Sequence, residues 1–230
     1  MSFQPFLANE PVSIHCGNLP HWRQCGATYF VTARLADSVP ESKVAEWKQK
    51  RQAWLRMHKL SAVDYLHALP ENLRHEYHRE FTERFHQLLD AGYGDCVFAR
   101  GDCAAVLIAK LLSGSSFSYD LDAWAIMPNH MHALVSPKAG VSLGEIIQQW
   151  KGGSAREINI LLGKSGQLWQ REPFDHIVRS EAQLNHFRSY IALNLEKARL
   201  RNGFVMGVGQ KAGLSADLLL QTFGLDRGSK

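Results

Sequence analysis

Hydrophobic and polar positions change period several times along the chain, and each change marks an element. Residues 27–35 gather Tyr29, Phe30, Val31 and Thr32, the β-branched and aromatic types that suit a half-buried strand. Beyond Asp37, Ser38 and Pro40, residues 41–59 mix Lys, Glu, Gln and Arg with Val44, Trp47, Trp54 and Leu55, predicting a helix with one apolar stripe. A second polar helix is predicted over 71–89, stopped by Gly92 and Gly94. Asp102 is placed to cap a short apolar helix at 103–112. Strands follow at 118–127 and 130–136, joined through Pro128-Asn129 as an antiparallel hairpin. Residues 142–162 read as a long amphipathic helix, 174–179 as a final strand, and 181–200 as one helix or two. The Gly-interrupted tail holds a short apolar stretch at 218–220 that suits a small docking helix.

Setting aside the polar helices leaves βαββαβ, the order of a ferredoxin-like antiparallel sheet with helices packed on one face, an α+β fold. The expected organisation is a single domain over 1–207, carrying a helical insertion at about 41–91, followed by a tail over 208–230. The charged faces of the inserted helical pair read as solvated surface.

Composition narrows the class. A chain of 230 residues with 45% hydrophobic content buries one substantial core. The net charge of +4 and a pI near 8.9 favour an anionic partner without requiring one. Cys16, Cys25, Cys96 and Cys103 show neither a paired CxxC nor a dense disulfide framework, so reduced thiols are expected. His15, Cys16, His21 and Cys25 could be drawn as a zinc site, but their spacing lacks the regularity of zinc modules. No apolar run reaches the length of a membrane span, and residues 1–10 carry no basic segment before an apolar one; a soluble, cytoplasmic protein is expected.

The chemistry concentrates in His130-Met131-His132. Alternation along a strand aims both imidazoles at one face, where two side by side can hold a metal, although on spacing alone two hydrogen-bonded histidines serve as well. On the last helix Tyr190 and Asn194 stand four residues apart and so project from one face. A helix tyrosine alone means little, because most such residues are partly buried core.

Taken in order, Leu19-Pro20-His21-Trp22, residues 26–32, Met127-Pro128-Asn129-His130-Met131-His132, Leu168-Trp169-Gln170, Phe174-Asp175-His176 and Tyr190-Ile191-Ala192-Leu193-Asn194 give a more specific pattern. On these motifs the chain resembles the REP-associated tyrosine transposases, relatives of the single-tyrosine HUH transposases, which act on single-stranded DNA hairpins. The resemblance implies that His130, His132 and Asn194 hold a divalent metal, Mg²⁺ or Mn²⁺, and that Tyr190 is the nucleophile. It also implies a 5′-phosphotyrosyl intermediate, nicking and strand transfer on REP-type hairpins, and a nucleoid-associated monomer, with a dimer as the other option.

Candidate DNA contacts are His21 and Trp22 in the N-terminal segment, Lys151 and Arg156 near the Gly152-Gly153-Ser154 stretch, and Trp169, Gln170 and Arg171, which offer stacking, amide and cationic groups. A core role for Trp169 and a plugging role for His21 and Trp22 are open alternatives. The sequence departs from the family at Pro173, at Leu195, where a proline is usual after Asn194, and at Lys151-Gly152-Gly153. None removes a catalytic atom. They leave room for a structured-DNA-binding protein that no longer cuts. A hydrolase using His130 and His132 with a water nucleophile is a further reading.

Overall fold

The computed structural model describes residues 3–7, 9–16, 20–60, 69–197 and 205–212, with isolated positions 214, 215, 218 and 221 beyond them. Side chains at 14–16, 20, 21, 195–197 and 212 lie outside the description, so the His15, Cys16, His21 and Cys25 cluster falls largely outside it. Strands β1 (Ser13–Cys16) and β2 (Pro20–Arg23) form an antiparallel ribbon that the sequence pattern did not reveal. Next comes β3 (Tyr29–Arg34), then the insertion, built from α1 (Glu41–Met57), α2 (Glu71–Tyr77), a π-helical turn (His78–Glu83) and α3 (Arg84–Asp90). A 3₁₀ turn (Val97–Ala99) leads into α4 (Gly101–Ser113). Strands β4 (Tyr119–Met127) and β5 (His130–Pro137) make the expected hairpin. The described chain continues with α5 (Leu143–Leu162), β6 (Phe174–Ile177), α6 (Glu181–Lys197), β7 (Val205–Val208) and β8 (Lys211–Ala212).

The main sheet is antiparallel throughout, in the order β6-β3-β5-β4-β7-β8. Within β3-α4-β4-β5-α5-β6 the strands lie in the spatial order fourth, first, third, second, which is the ferredoxin-like arrangement inferred from the pattern. On one face Leu107 and Leu111 of α4 and Ile146, Trp150 and Ile158 of α5 bury against Tyr29, Val31, Trp124, Ile126, Met131 and Ala133. Polar tips in this core are paired: Trp150 Nε1 donates to Tyr119 Oη at 2.8 Å, and Tyr119 Oη donates to the Leu111 carbonyl at 2.7 Å. The other face, with Phe30, Ala123, Ala125 and Leu134, is covered by Leu184, Ile191 and Ala192 of α6. Helices therefore flank both faces: the two βαββαβ helices share one, and α6 takes the other.

Local chemistry explains most boundaries. Ser142 accepts from the Glu145 backbone N–H while the Glu145 side chain takes the Ser142 N–H, a capping box that starts α5; Gly163, left-handed at φ 61°, stops it. Asp102 is not the cap of α4 as expected. It lies inside the first turn, paired with Arg100, and the N-cap position is Arg100. Helix α6 runs unbroken through Leu195, the place where a proline would have reshaped it. Residues 198–200 of the expected helix, and 219–220 of the expected docking helix, lie outside the described residues.

The added strand β7, held between β4 and β8, depends on Gly207. A Cβ there would stand 2.1 Å from the Lys211 carbonyl oxygen and 2.3 Å from the Trp124 ring, whose Nε1 donates to the Gly209 carbonyl. Neither a backbone carbonyl nor a fully buried indole can yield cheaply. Gly207→Ala is therefore expected to lower stability by about 1–3 kcal/mol, the usual cost of overpacking, in a thermal melt followed by Trp fluorescence.

Candidate metal and nucleophile site

Residue parity in the sheet decides which face each side chain enters. His130 and His132 fall on the face covered by α6, while Met131 between them enters the opposite core. Both imidazoles are about 1% exposed, and their Nε2 atoms stand 3.1 Å apart. Across the strand pair, Thr32 of β3 lies opposite His132 and places its Oγ1 2.8 Å from His132 Nδ1.

The His130 tautomer follows from its neighbour. Asn129 Nδ2 donates to the carbonyls of Leu89 (3.1 Å), Tyr93 (3.0 Å) and Ser38 (3.4 Å), which leaves Oδ1 facing His130 Nδ1 at 2.8 Å. An amide oxygen only accepts, so His130 Nδ1 carries the proton and Nε2 presents its lone pair. Fixing one ring nitrogen so that the other can bind a metal is the usual task of such outer partners. Burial holds the His130 imidazole down to about 3 and drives His132 well below its ordinary value, so both are neutral near pH 7.

Helix α6 supplies the other half. Tyr190 packs its ring edge-on against His132 (centroids 5.2 Å) and Phe30 (5.7 Å), and Phe30 stacks on Phe187 at 4.3 Å. One turn later Asn194 is fully buried, and neither its amide nitrogen nor its amide oxygen has a hydrogen-bond partner among the described residues. An orphaned buried carboxamide costs free energy on the order of 1–3 kcal/mol unless something supplies its contacts. That orphan on the same face as two neutral imidazoles fits a divalent cation: His130, His132 and Asn194 would hold it, in a nitrogen-and-oxygen set suited to Mn²⁺ or Mg²⁺. No three His, Cys, Asp or Glu side chains among the described residues form a closed metal-binding group by themselves.

A pocket of about 730 Å³ opens beside this cluster, lined on one side by Phe30, Phe174, His176, Phe187 and Tyr190. The opposite wall comes from the insertion, through His78, Thr82, His86 and Asp90. His86 meets both the Tyr190 ring (5.4 Å) and the His132 ring (5.7 Å), and burial holds it down to about 4. Asp90 Oδ1 lies 3.6 Å from His130 Nε2. Burial first, and the Asp90 charge second, push the Tyr190 phenol far above its ordinary range.

The inserted helices are thus a wall of the site as well as a solvated surface, packed on their own small core of Trp54, Leu55, Tyr77 and Phe81. A signal for this was present in the sequence. His78, Thr82, His86 and Asp90 recur every four residues, a spacing that drifts by about 40° per step on an α-helix. The π turn over His78–Glu83, wider than an α turn, offsets that drift at the start of the row.

The candidate DNA contacts are not gathered at this pocket. Trp169 is a core residue, 4% exposed, tilted on Phe98 at 5.1 Å with Nε1 donating to Ser154 Oγ. Lys151 Nζ donates to the Gln170 and Arg171 carbonyls at 2.6 and 2.8 Å, so it holds that loop, and burial lowers its ammonium to about 8. Arg156 on α5 and Arg171 are exposed, and Gln170 is half-buried. Trp22 meets Phe6 edge-on at 6.4 Å, beneath the Arg179 guanidinium. The His21 side chain lies outside the described residues.

His176 gives the pocket a pH signature. Burial foremost, with His78 and Arg179 adding to it, holds its imidazole down to about 4 against an ordinary 6.5. The unfolded chain therefore binds a proton that the fold refuses. This contribution is intact above about pH 6.5 and is lost as pH falls toward 4. A loss on the order of 3 kcal/mol is expected over that window, and His176→Gln should flatten the metal-free melting profile by that share. An unchanged slope would show that His176 takes its proton in the fold.

Residues 108–194 match the family model described as "Transposase IS200 like", a span that holds His130, His132 and Tyr190 and ends on Asn194. No curated protein matches the chain. A solved structure of a REP-associated tyrosine transposase bound to a REP hairpin is 15% identical, over 77% of this chain and 71% of that chain, with a TM-score of 0.40. That likeness is too loose to assign anything to this chain. No helix among the described residues is long and apolar enough to cross a membrane. What the comparisons give this chain is therefore a similarity to the IS200-like transposase family over residues 108–194.

Proposed function

We propose that this chain is a metal-dependent single-strand DNA endonuclease and strand transferase of the REP-associated tyrosine type, acting on REP-type hairpins in the cytoplasm. The observation that carries the reading is the shared face of His130, His132, Tyr190 and the orphaned Asn194 amide. Tyr190 Oη gives up its proton to solvent and forms the new bond to phosphorus, the P–O3′ bond breaks, the 3′ oxygen takes up a proton from solvent as it leaves, and the 5′ phosphate stays on the tyrosine. Return attack by a 3′-hydroxyl reverses these bonds and rejoins DNA without another energy source. A bound cation supplies neutralisation of the phosphate charge. The chain itself fixes the ring of the nucleophile between Phe30, His86 and His132 and keeps both imidazoles neutral. Arg171 and Gln170, on the loop that Lys151 holds, together with Arg156 and Trp22, are proposed as outlying contacts to the DNA backbone. The protein works as a monomer in this reading.

A second reading, a hairpin-binding protein that no longer cuts, is favoured by one observation: the Tyr190 hydroxyl is itself shielded from water. Labelled hairpin DNA mixed with the protein and Mg²⁺ or Mn²⁺ separates the two. An SDS-resistant adduct supports cleavage; tight binding without adduct across metals and hairpins selects the binding protein. Cleavage that survives in Tyr190→Phe would point to a water nucleophile.

A further inference from the structure

The pocket beside Tyr190 leads to two cations. Gln183, Phe187 and Tyr190 line it along one face of α6, and the seven residues from Gln183 to Tyr190 span about 10 Å of helix axis. At the Gln183 end, Gln183 Nε2 lies 2.8 Å from His176 Nε2, and the His176 ring meets the ring of His78 from the insertion at 6.3 Å. Arg74 stands one turn before His78, whose N–H donates to the Arg74 carbonyl, and Arg179 follows two residues after β6. We infer that Arg74 and Arg179 form a subsite for a backbone phosphate of the unpaired DNA strand that runs from Tyr190 through the pocket. The inference rests on the DNA reading proposed above and adds to it an anchor built partly from the insertion.

The Arg179 guanidinium is held in place without an anion. It lies 5.5 Å from the Phe6 ring centre and 5.9 Å from that of Trp22, while its Nε is buried and has no hydrogen-bond partner among the described residues. Its backbone is fixed as well: the Arg179 N–H donates to Gln183 Oε1 at 2.8 Å, and the Gln183 N–H donates to Ser180 Oγ at 3.1 Å. Burial first, and the Arg74 charge second, lower this guanidinium from its ordinary value. Nearby acids are engaged elsewhere. Asp175 of β6 receives Arg23, and Glu71 of α2 lies 3.6 Å from His75 Nε2. Among the described residues no carboxylate pairs with Arg74 or Arg179. Two like charges kept together in half-buried positions repel, and an anion between them reverses the sign of the interaction. Guanidinium forks match phosphate oxygens, and the aromatic pocket between this pair and Tyr190 suits the unstacked bases of a single strand.

The test measures binding of the full chain to a labelled hairpin bearing a single-stranded extension, and to the same hairpin without it, in chelator over a range of salt. Melting without DNA is followed in parallel. Arg74→Gln should weaken binding of the extended hairpin about fivefold at low salt, and should reduce the slope of log affinity against log salt by about 0.7, the share of one single-strand phosphate. Binding of the hairpin without extension should stay within about twofold. Arg74→Glu, which gives Arg179 an internal anion, should weaken the extended hairpin further and raise the melting temperature. Unchanged affinity and slope in both variants, or equal losses on the two DNAs, would overturn the subsite and leave the DNA reading standing. A melting temperature lowered in both variants would assign Arg74 to the fold and overturn the subsite as well. Inorganic phosphate that raises the melting temperature of the unmodified chain, with DNA affinity unchanged in Arg74→Gln, would make this a site for a free anion and overturn the DNA assignment. An unmodified chain that binds neither DNA would overturn the reading on which the subsite rests.

Discussion

Phenylalanine at Tyr190 should eliminate the SDS-resistant DNA adduct, lowering the covalent step by on the order of 10³ or more, while hairpin affinity changes by no more than about threefold. The substitution removes one oxygen and leaves the ring. Contacts of that ring with Phe30, His86 and His132, at centroid distances of 5.7, 5.4 and 5.2 Å, all survive, so the fold and the imidazole pair keep their setting. Losing a buried hydroxyl shifts stability by only about 1 kcal/mol in either direction. A denaturation curve matched to the unmodified protein would therefore accompany the loss of chemistry. Rapid cleavage by Tyr190→Phe, with product bearing no protein, would remove the tyrosine from the mechanism and favour attack by water on the same metal site.

How much of this could be read in advance depended on the strength of each local pattern. His130 and His132 were legible because strand alternation admits only one arrangement for them, and Tyr190 and Asn194 because one helical turn does the same. The βαββαβ order was legible because each of its strands and helices is bounded by Gly, Pro or Ser turns. Strands β1, β2, β7 and β8 were not. They are two to four residues long, and Gly207 and Pro20 depress any strand signal within them. The part that His86 and Asp90 take in the site was hidden for a different reason. Both belong to a helix whose polar residues read as solvated surface, and only the tertiary contact through Asn129 turns that surface toward His130. Trp169 shows the reverse case: beside Gln170 and Arg171 it was open to stacking on a base or to a place in the core, and the Phe98 ring and Ser154 hydroxyl hold it in the core.

Removing the Asp122 carboxylate should be among the most damaging single changes to the fold, because it takes the anion from a half-buried guanidinium on the helix that carries Tyr190. The register of β4 against β5 shifts between Leu121 and Trp124, and Asp122 sits in that irregularity with a side chain only 4% exposed. It receives Arg188 Nε at 2.7 Å and Nη2 at 3.1 Å, a two-point clamp between the sheet and α6. Arg188 is two residues before Tyr190, and its own side chain is 16% exposed. Breaking such a pair from one side costs about 3–5 kcal/mol, since the guanidinium loses its only anionic partner in this clamp and keeps the neutral Asn185 Oδ1 at 3.1 Å in its place. Replacing both ends by apolar residues often restores most of the loss. Asp122→Ala should therefore lower the denaturation free energy by about 3–5 kcal/mol, while Asp122→Leu combined with Arg188→Met should recover to within about 1 kcal/mol of the parent. The double variant should also regain stability without regaining full Mn²⁺ affinity, because apolar packing holds α6 in place but does not fix its rotation as a planar two-point pair does. A loss under about 1 kcal/mol in Asp122→Ala would mean that water reaches Arg188 and that α6 is held by Leu184, Ile191 and Ala192 alone.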